Sequence, residues 1–182
     1  MRKSPFYYDK CDTYAIGSLV GIQAEILSSS LHPEVRKEKG FLSYVVCEKT
    51  LLASIKIDLV RIAVRKKSGL ISGMIIGMSP SHADHIAYLR PMVKEVLDTI
   101  SYPCFMQMCV DPENRRKKIA TELLKQLEYE AKRQNFQAIV TEIPNSNEVG
   151  SLFLAARGFI PVPALFLPEC RIFYKKFKPL RK

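Results

Sequence analysis

Between Cys104 and Ile143 the chain reads as strand, turn, long amphipathic helix and strand again, and this order restricts the fold more than any other feature. Cys104–Val110 is a short apolar run, and Pro112 forces a turn after it. Arg115–Gln134 then places Ile119, Leu123, Leu124, Leu127 and Ala131 on one helical stripe, and Ala138–Ile143 is apolar again. A strand–helix–strand crossover within one sheet sets its two strands parallel and lays the helix stripe over one face. All-helical and all-β architectures are thereby excluded.

The remaining segments extend that unit. Leu59–Val64 and Leu70–Met78 flank the polar, glycine-containing Arg65-Lys66-Lys67-Ser68-Gly69 and read as an antiparallel hairpin. Helical spacing predicts helices over Thr13–Leu27, Glu48–Ile57 and His82–Thr99, the last with its effective start near Pro91. Phe6-Tyr7-Tyr8 is a short extended start, and Ser28-Ser29-Ser30 is a polar break. After Ile143 a short helix over Glu148–Ala156, an extended run over Ile160–Leu167 and a closing strand over Cys170–Phe177 complete a βαβαββ second half. The expected class is α/β, a central mixed sheet flanked by about four helices. With no repeat and no Pro/Gly/Ser-rich linker, 1–182 reads as a single domain.

Composition narrows the function classes. The uncharged apolar stretches, such as Leu70–Met78 and Ile100–Val110, fall short of the about 20 apolar residues that cross a bilayer, so no membrane span is expected. The start at Met1 carries no apolar leader, which predicts a cytoplasmic protein. Cys11, Cys47, Cys104, Cys109 and Cys170 are scattered, with no C-x-x-C pair and three histidines, so free thiols and no metal are expected. Lys and Arg number 28 against 18 acidic residues, a net charge of +10 that favours anionic partners: nucleic acid, anionic lipid or a polyphosphate cofactor. Nucleic acid has only this net charge in its favour, since no zinc spacing, helix-turn-helix or aromatic-interleaved basic motif is present. Walker, H-E-x-x-H, G-x-S-x-G and dinucleotide fingerprints are also absent.

One basic cluster has a structural setting that calls for charge. Arg115, Arg116, Lys117 and Lys118 sit where the long helix is expected to begin, and four cations in a first turn oppose the helix dipole unless an anion binds there. Helix N-termini offer unpaired N–H groups to phosphates, so a polyanion accounts for the cluster.

Val110, Pro112, Arg115, Ile119 and Ala120 follow the Gln/Arg-x-x-Gly-x-Gly/Ala pattern that succeeds a strand and a V-x-P turn, and the segment resembles the acyl-coenzyme-A-binding motif of the GNAT N-acetyltransferase superfamily. Lys118 replaces the middle glycine of that pattern, where a side chain can crowd a pyrophosphate or contact it. Asn147, Phe153, Gly158 and Phe159 are similar to a second element of the family, and Asn147 is also placed to cap the helix at Glu148. Leu154 stands where that element carries a Tyr or His proton donor; Tyr102, Tyr174, Cys109 or a water are the candidate substitutes. Gly40-Phe41-Leu42 is similar to the amino-terminal part of one group of small bacterial GNAT enzymes.

The resemblance implies a GNAT-like fold and acetyl-CoA as cosubstrate, held by Met108, Cys109, Val110, Arg115, Arg116, Lys117, Lys118, Ile119, Ala120, Asn147 and Phe153. It implies an N-acetyltransferase in which a primary amine attacks the thioester directly, a strand N–H near Val110 stabilises the carbonyl oxygen, and Gln107 and Glu142 are the catalytic candidates for proton handling. The acceptor, a small molecule, an amino acid or a protein amino group, is selected by the first two helices and Pro161–Pro168. The rival reading is a catalytically weak GNAT-fold module that senses coenzyme A or docks an anionic partner. Edge pairing through the closing strand leaves monomer and homodimer both open.

Overall fold

The computed structural model describes residues 4–25, 27, 42, 45–81, 100, 102–162 and 170–178. The helix expected over His82–Thr99, the break at 28–30, Gly40, Phe41 and residues 163–169 lie outside them. The described strands are β1 (Phe6–Lys10), β2 (Val60–Arg65), β3 (Ile71–Met78), β4 (Pro103–Val110), β5 (Ala138–Pro144), β6 (Ile160–Val162) and β7 (Cys170–Lys176). The described helices are α1 (Ile16–Glu25), α2 (Glu48–Lys56), α3 (Ile119–Arg133) and α4 (Glu148–Ala155). Among these residues no helix is long and apolar enough to cross a membrane, and no group of three or more His, Cys, Asp or Glu side chains gathers to hold a metal.

The strands form one mixed sheet in the order β1-β2-β3-β4-β5-β7-β6. The hairpin β2–β3 is antiparallel with Ile62 opposite Met74, and β4 runs parallel to β5 as the crossover requires. Strand β7 inserts between β5 and β6, so the closing strand is internal and β6 is the edge.

Two apolar layers cover the sheet. Leu19 and Leu51 bring α1 and α2 onto one face with Val60, Ile62, Met74 and Ile76. Leu123, Leu124 and Leu127 of α3 and Leu154 at the end of α4 pack on the other face with Ile75, Ile139 and Phe173. Glycines on β3 let α3 come close: a Cβ at Gly77 would meet Leu127 Cδ1 at 2.6 Å and Cys104 Sγ at 2.9 Å, and one at Gly73 would meet Ile119 Cγ2 at 3.0 Å.

The helix expected from Arg115 begins later, at Ile119. Pro112–Asn114 forms a separate 3-10 turn capped by the Asp111 carboxylate, which accepts from the Glu113 amide at 3.0 Å. Arg116 and Lys118 then adopt φ of 60° and 66°, a left-handed backbone that no α-helical ladder contains. The four cations therefore form the loop that leads into α3 and do not occupy its first turn.

An ion network ties the other end of α3 to β2. Arg61, buried on β2, reaches the Asp58 carboxylate at 2.9 Å and Glu130 at 3.5 Å. Glu130 also accepts from Arg133 at 2.6 Å and Gln134 at 2.8 Å, and Gln134 donates to the Ile57 carbonyl at 2.6 Å. Burial alone would raise the Glu130 carboxyl, but the bonds from Arg133 and Gln134 hold it below its ordinary value. A carboxyl lowered on folding stabilises the native state at neutral pH, and that contribution disappears as pH falls through the carboxylate range. Glu130→Gln should therefore cost about 2 kcal/mol at pH 7 in urea unfolding, a buried pair broken with Asp58 still facing Arg61. The gap between variant and parent should close as pH falls below about 4; a gap independent of pH would show that the Glu130 charge contributes nothing.

Candidate active site

The parallel ladder between β4 and β5 is short. Pro103, Cys104 and Phe105 pair with Ala138, Ile139 and Val140; beyond them β4 stays with β3 as far as Val110, and β5 stays with β7 as far as Pro144. The strands splay and a gap opens between their carboxy-terminal halves. The Asp111 amide donates to the Ser72 carbonyl at 3.1 Å, so strand alternation aims the amides of Met108 and Val110 away from β3, towards the gap. On the same side the Met106 carbonyl accepts from the Thr141 hydroxyl at 2.9 Å, a side chain standing in for the lost ladder.

A cavity of about 90 Å³ occupies this gap. Gln107 and Met108 of β4 line it, as do Thr141 and Glu142 of β5 and Asn147, Phe153 and Leu154 of the next segment. The structure thus brings the two catalytic candidates, Gln107 and Glu142, from neighbouring strands into one cleft. Asn147 accepts from the Gly150 amide at 2.9 Å, which bears out its capping role, and its residue also lines the cavity. A Cβ at Gly150 would meet Asn147 Oδ1 at 3.0 Å, so the capping side chain packs directly against this glycine. A wider, shallower concavity of about 620 Å³ lies along α2, where Glu48, Lys49, Leu52 and Lys56 line it.

The basic loop lies at one end of the gap. Arg115 turns back and donates Nε to the Val110 carbonyl at 3.1 Å; burial lowers this guanidinium, while Cys109 and Asp111 oppose that shift. Lys117 Nζ donates to the Glu113 carbonyl at 3.1 Å and to Asn114 Oδ1 at 2.9 Å. Asn114, fully buried, also accepts from Arg65 Nη2 at 2.9 Å and donates to Ser72 Oγ at 3.4 Å and to the Asp111 carboxylate. It is the hub that joins the loop to the β2–β3 hairpin. The side chains of Arg116 and Lys118 make no hydrogen bond or ion pair with another described residue, while the Lys118 carbonyl accepts from the Glu122 amide at 3.1 Å. Both residues adopt positive φ, and Lys118 is also the N-cap residue of α3. Lys118 thus adopts the backbone conformation that glycine favours. Ile119 is buried on the sheet and Ala120 is half-buried beside it.

The candidate proton donors fare differently. Tyr102 stacks on Phe136 with ring centroids 4.6 Å apart, before β4 begins and at the opposite end from the gap, which removes it as a substitute acid. Cys109 is buried in the layer under α1 and α2, where burial pushes its thiol up to about 12. Tyr174, half-buried on β7 opposite Val140, is not among the residues lining the cavity. Leu154, 2% exposed, makes that wall apolar. Sequence reasoning missed Thr141 and Asn114. A lone hydroxyl inside the apolar run Ala138–Ile143 is a signal for the first, and nothing local marks the second.

Comparison with known proteins agrees with this geometry. The family model described as the acetyltransferase (GNAT) family matches residues 60–159. No curated protein matches the chain. Among solved structures, a GNAT-family acetyltransferase from Staphylococcus aureus superposes with a TM-score of 0.64 at 16% identity, over 95% of this chain and 99% of that one. The NatC complex bound to Gag peptide and CoA gives 0.65 at 17%, over 95% and 99%. A polyamine N-acetyltransferase from Drosophila melanogaster gives 0.66 at 12%, over 94% and 100%. At these identities the structures establish the fold alone, whereas the family match extends over more than half of the chain, from β2 to the start of β6, and takes in both walls of the gap and the basic loop. The chain belongs to the acetyltransferase (GNAT) family, and its class is that of an acyl-coenzyme-A-dependent acyltransferase.

Proposed function

We propose that this chain, acting as one domain over 1–182, transfers the acetyl group of acetyl-CoA to a primary amine by direct attack on the thioester. The observation that carries the reading is the β4–β5 splay, which aims two strand amides into a gap that ends at a cationic loop. Acetyl-CoA supplies the activated acyl group and three phosphates. The residues present fit it: Arg116, Lys118 and the first amides of α3 face an anion, and Phe153, Met108 and Leu154 give an apolar channel.

In this reading the Met108 and Val110 amides stabilise charge developing on the thioester oxygen. Arg115 supports them by holding the Val110 carbonyl, a positioning role, and Lys117 acts on the loop through Asn114. The attacking amine must lose a proton, and Glu142 and Gln107 are the polar groups of the cleft that can receive or relay it. The acceptor is a small molecule, an amino acid or a protein amino group. Free thiols at all five cysteines agree with a cytoplasmic setting.

One observation favours a second reading. The apolar wall at Leu154 offers no proton to a departing thiolate, as a module that binds coenzyme A without turnover would have it. Calorimetric titration separates binding from its absence, and thiol release with a panel of amines separates the two readings. The expected result is micromolar acetyl-CoA binding, about −8 kcal/mol, with release of free thiol. Binding without release for any amine supports the module, and no binding at all overturns both.

Lys118 provides a sharper test. Because its backbone already adopts the left-handed conformation, its side chain is left to add charge. Lys118→Gly relieves about 1 kcal/mol of strain and incurs a similar backbone-entropy cost, so unfolding stability should move by less than about 0.5 kcal/mol. Acetyl-CoA affinity should fall about threefold to tenfold as the cation is lost; tighter binding would show that the side chain obstructs the pyrophosphate.

A further inference from the structure

The turn between β2 and β3 carries three consecutive cations and then an exposed leucine. Arg65 is half-buried, Lys66 and Lys67 are exposed, and Leu70 leaves 65% of its surface in solvent. The turn is tightly made. The Ser68 and Gly69 amides donate to the Arg65 carbonyl at 3.3 and 2.9 Å, and Gly69 supplies a left-handed φ of 69°. The Arg65 amide donates to the Leu70 carbonyl at 2.9 Å, so Leu70 stands opposite Arg65 on one side of the hairpin. Neighbouring segments hold the cations in place. Lys66 donates from its amide to the Pro5 carbonyl at 3.0 Å and from Nζ to the Ser4 carbonyl at 2.9 Å. Arg65 Nη2 and Lys117 Nζ both donate to Asn114 Oδ1 at 2.9 Å, so two cations from separate turns share one uncharged atom.

Charge is matched elsewhere in the molecule and unmatched here. Lys10, Arg61 and Arg133 pair with Asp58 and Glu130 at the other end of β2, and Lys175 pairs with Glu128. Among the described residues no carboxylate pairs with Arg65, Lys66, Lys67 or Lys117. Glu113, the exposed acid of the neighbouring loop, meets Lys117 through its backbone carbonyl. Like charges gathered without a counter-charge repel one another. Charge that served only to keep a turn soluble would not surround an exposed leucine. An apolar anchor with a cationic rim is instead the make-up of a docking surface.

We propose that Leu70 and the cations Arg65, Lys66, Lys67 and Lys117 form a docking surface for an acidic segment of a partner protein, one that sets an apolar side chain among its carboxylates. The inference does not rest on the cosubstrate reading, since Arg116 and Lys118, the cations assigned there to the coenzyme, are not part of the surface. Nucleic acid fits this surface poorly. Phe6, the ring paired with Arg65, is 4% exposed, and Tyr7 points to the other face of the sheet, so no aromatic platform is offered to a base. A bilayer surface needs a wider apolar face than one leucine. Carboxylates suit both the fork of Arg65 and the point charges of the lysines, and a neighbouring apolar residue covers Leu70.

Fluorescence anisotropy of the whole chain tests this with a labelled polyglutamate peptide that carries one central leucine, with single-stranded RNA, and with phosphatidylserine-containing vesicles as the other probes. The peptide should bind more tightly than RNA or vesicles, and saturating coenzyme A should not displace it. The double variant Lys66→Glu/Lys67→Glu should weaken it about tenfold or more, and Leu70→Ser about threefold. Lys176→Glu/Lys178→Glu, an equal change of net charge at exposed positions at the far end of β7, should leave it within about twofold. Thermal unfolding of each variant confirms that these exposed substitutions leave the fold intact. Absence of peptide binding overturns the proposal. An equal loss in the two double variants also overturns it, since net charge alone would then account for the binding. Tighter binding of RNA or vesicles assigns the surface to that polyanion instead, and displacement by coenzyme A moves the peptide to the loop before α3; either result overturns the proposal.

Discussion

Three residue pairs, from Pro103–Ala138 to Phe105–Val140, join β4 to β5, and the divergence beyond them decides what the rest of the molecule can present. A sheet interior normally consumes its amides and carbonyls in the ladder. Here β3 and β7 keep their partners paired on the outer sides, so the inner sides of β4 and β5 meet other groups. Thr141 takes the Met106 carbonyl, Arg115 takes the Val110 carbonyl, and the intervening amides of Met108 and Val110 remain directed at the gap. Strands still paired there would leave neither cavity nor cradle. The close approach of α3 over Gly73 and Gly77 fixes the helix relative to β3, and with it the loop at the end of the gap.

That loop is held from the opposite side by a buried polar hub. Asn114 connects Asp111, Lys117, Arg65 and Ser72, joining a turn after β4 to residues of two strands 49 and 42 positions earlier in the chain. In a low-dielectric setting such a network is favourable only when each member is satisfied, and it specifies one arrangement of the loop. The left-handed backbone at Arg116 and Lys118, a local cost of about 1 kcal/mol each, lies between side chains anchored at Val110, Glu113 and Asn114.

The parts of this structure written in local pattern were legible in the sequence. The apolar stripe of α3 and the alternation of short apolar runs with turns gave the hairpin, the parallel crossover and both walls of the gap, because periodicity and burial coincide there. The start of α3 was misread by four residues, since a basic, propensity-neutral tetrapeptide gives no hint of positive φ without a glycine or asparagine. The same gap in local information made Lys118 look like a departure when the backbone had kept the conformation. Strand order could not be read either. Chain order suggests that β7 closes the edge, but pairing it with β5 buries Ile172 and Phe173, and β6 is left outside. Tyr102 shows a related limit: proximity to a strand in sequence does not tell which end of that strand faces the chemistry.

The division among the four loop cations follows from the same geometry. Had all four stood in the first turn of α3, each would oppose the helix dipole, and only a ligand could relieve them. In the structure Arg115 and Lys117 are relieved internally, as donors to the Val110 and Glu113 carbonyls, and they serve to hold the loop. Arg116 and Lys118 are not, so the positive potential left for an anion comes from the two residues that lead into the first turn of α3. Apolar side chains border the neighbouring cleft at Phe153 and Leu154, and poor solvation there strengthens each remaining dipole. The leucine that deprives the site of a side-chain proton donor thus also sharpens the field of the Met108 and Val110 amides. In the proposed reaction, proton delivery and charge stabilisation, which a tyrosine or histidine at 154 would couple, are separated: the first is assigned to the polar groups of β4 and β5, and the second to the backbone.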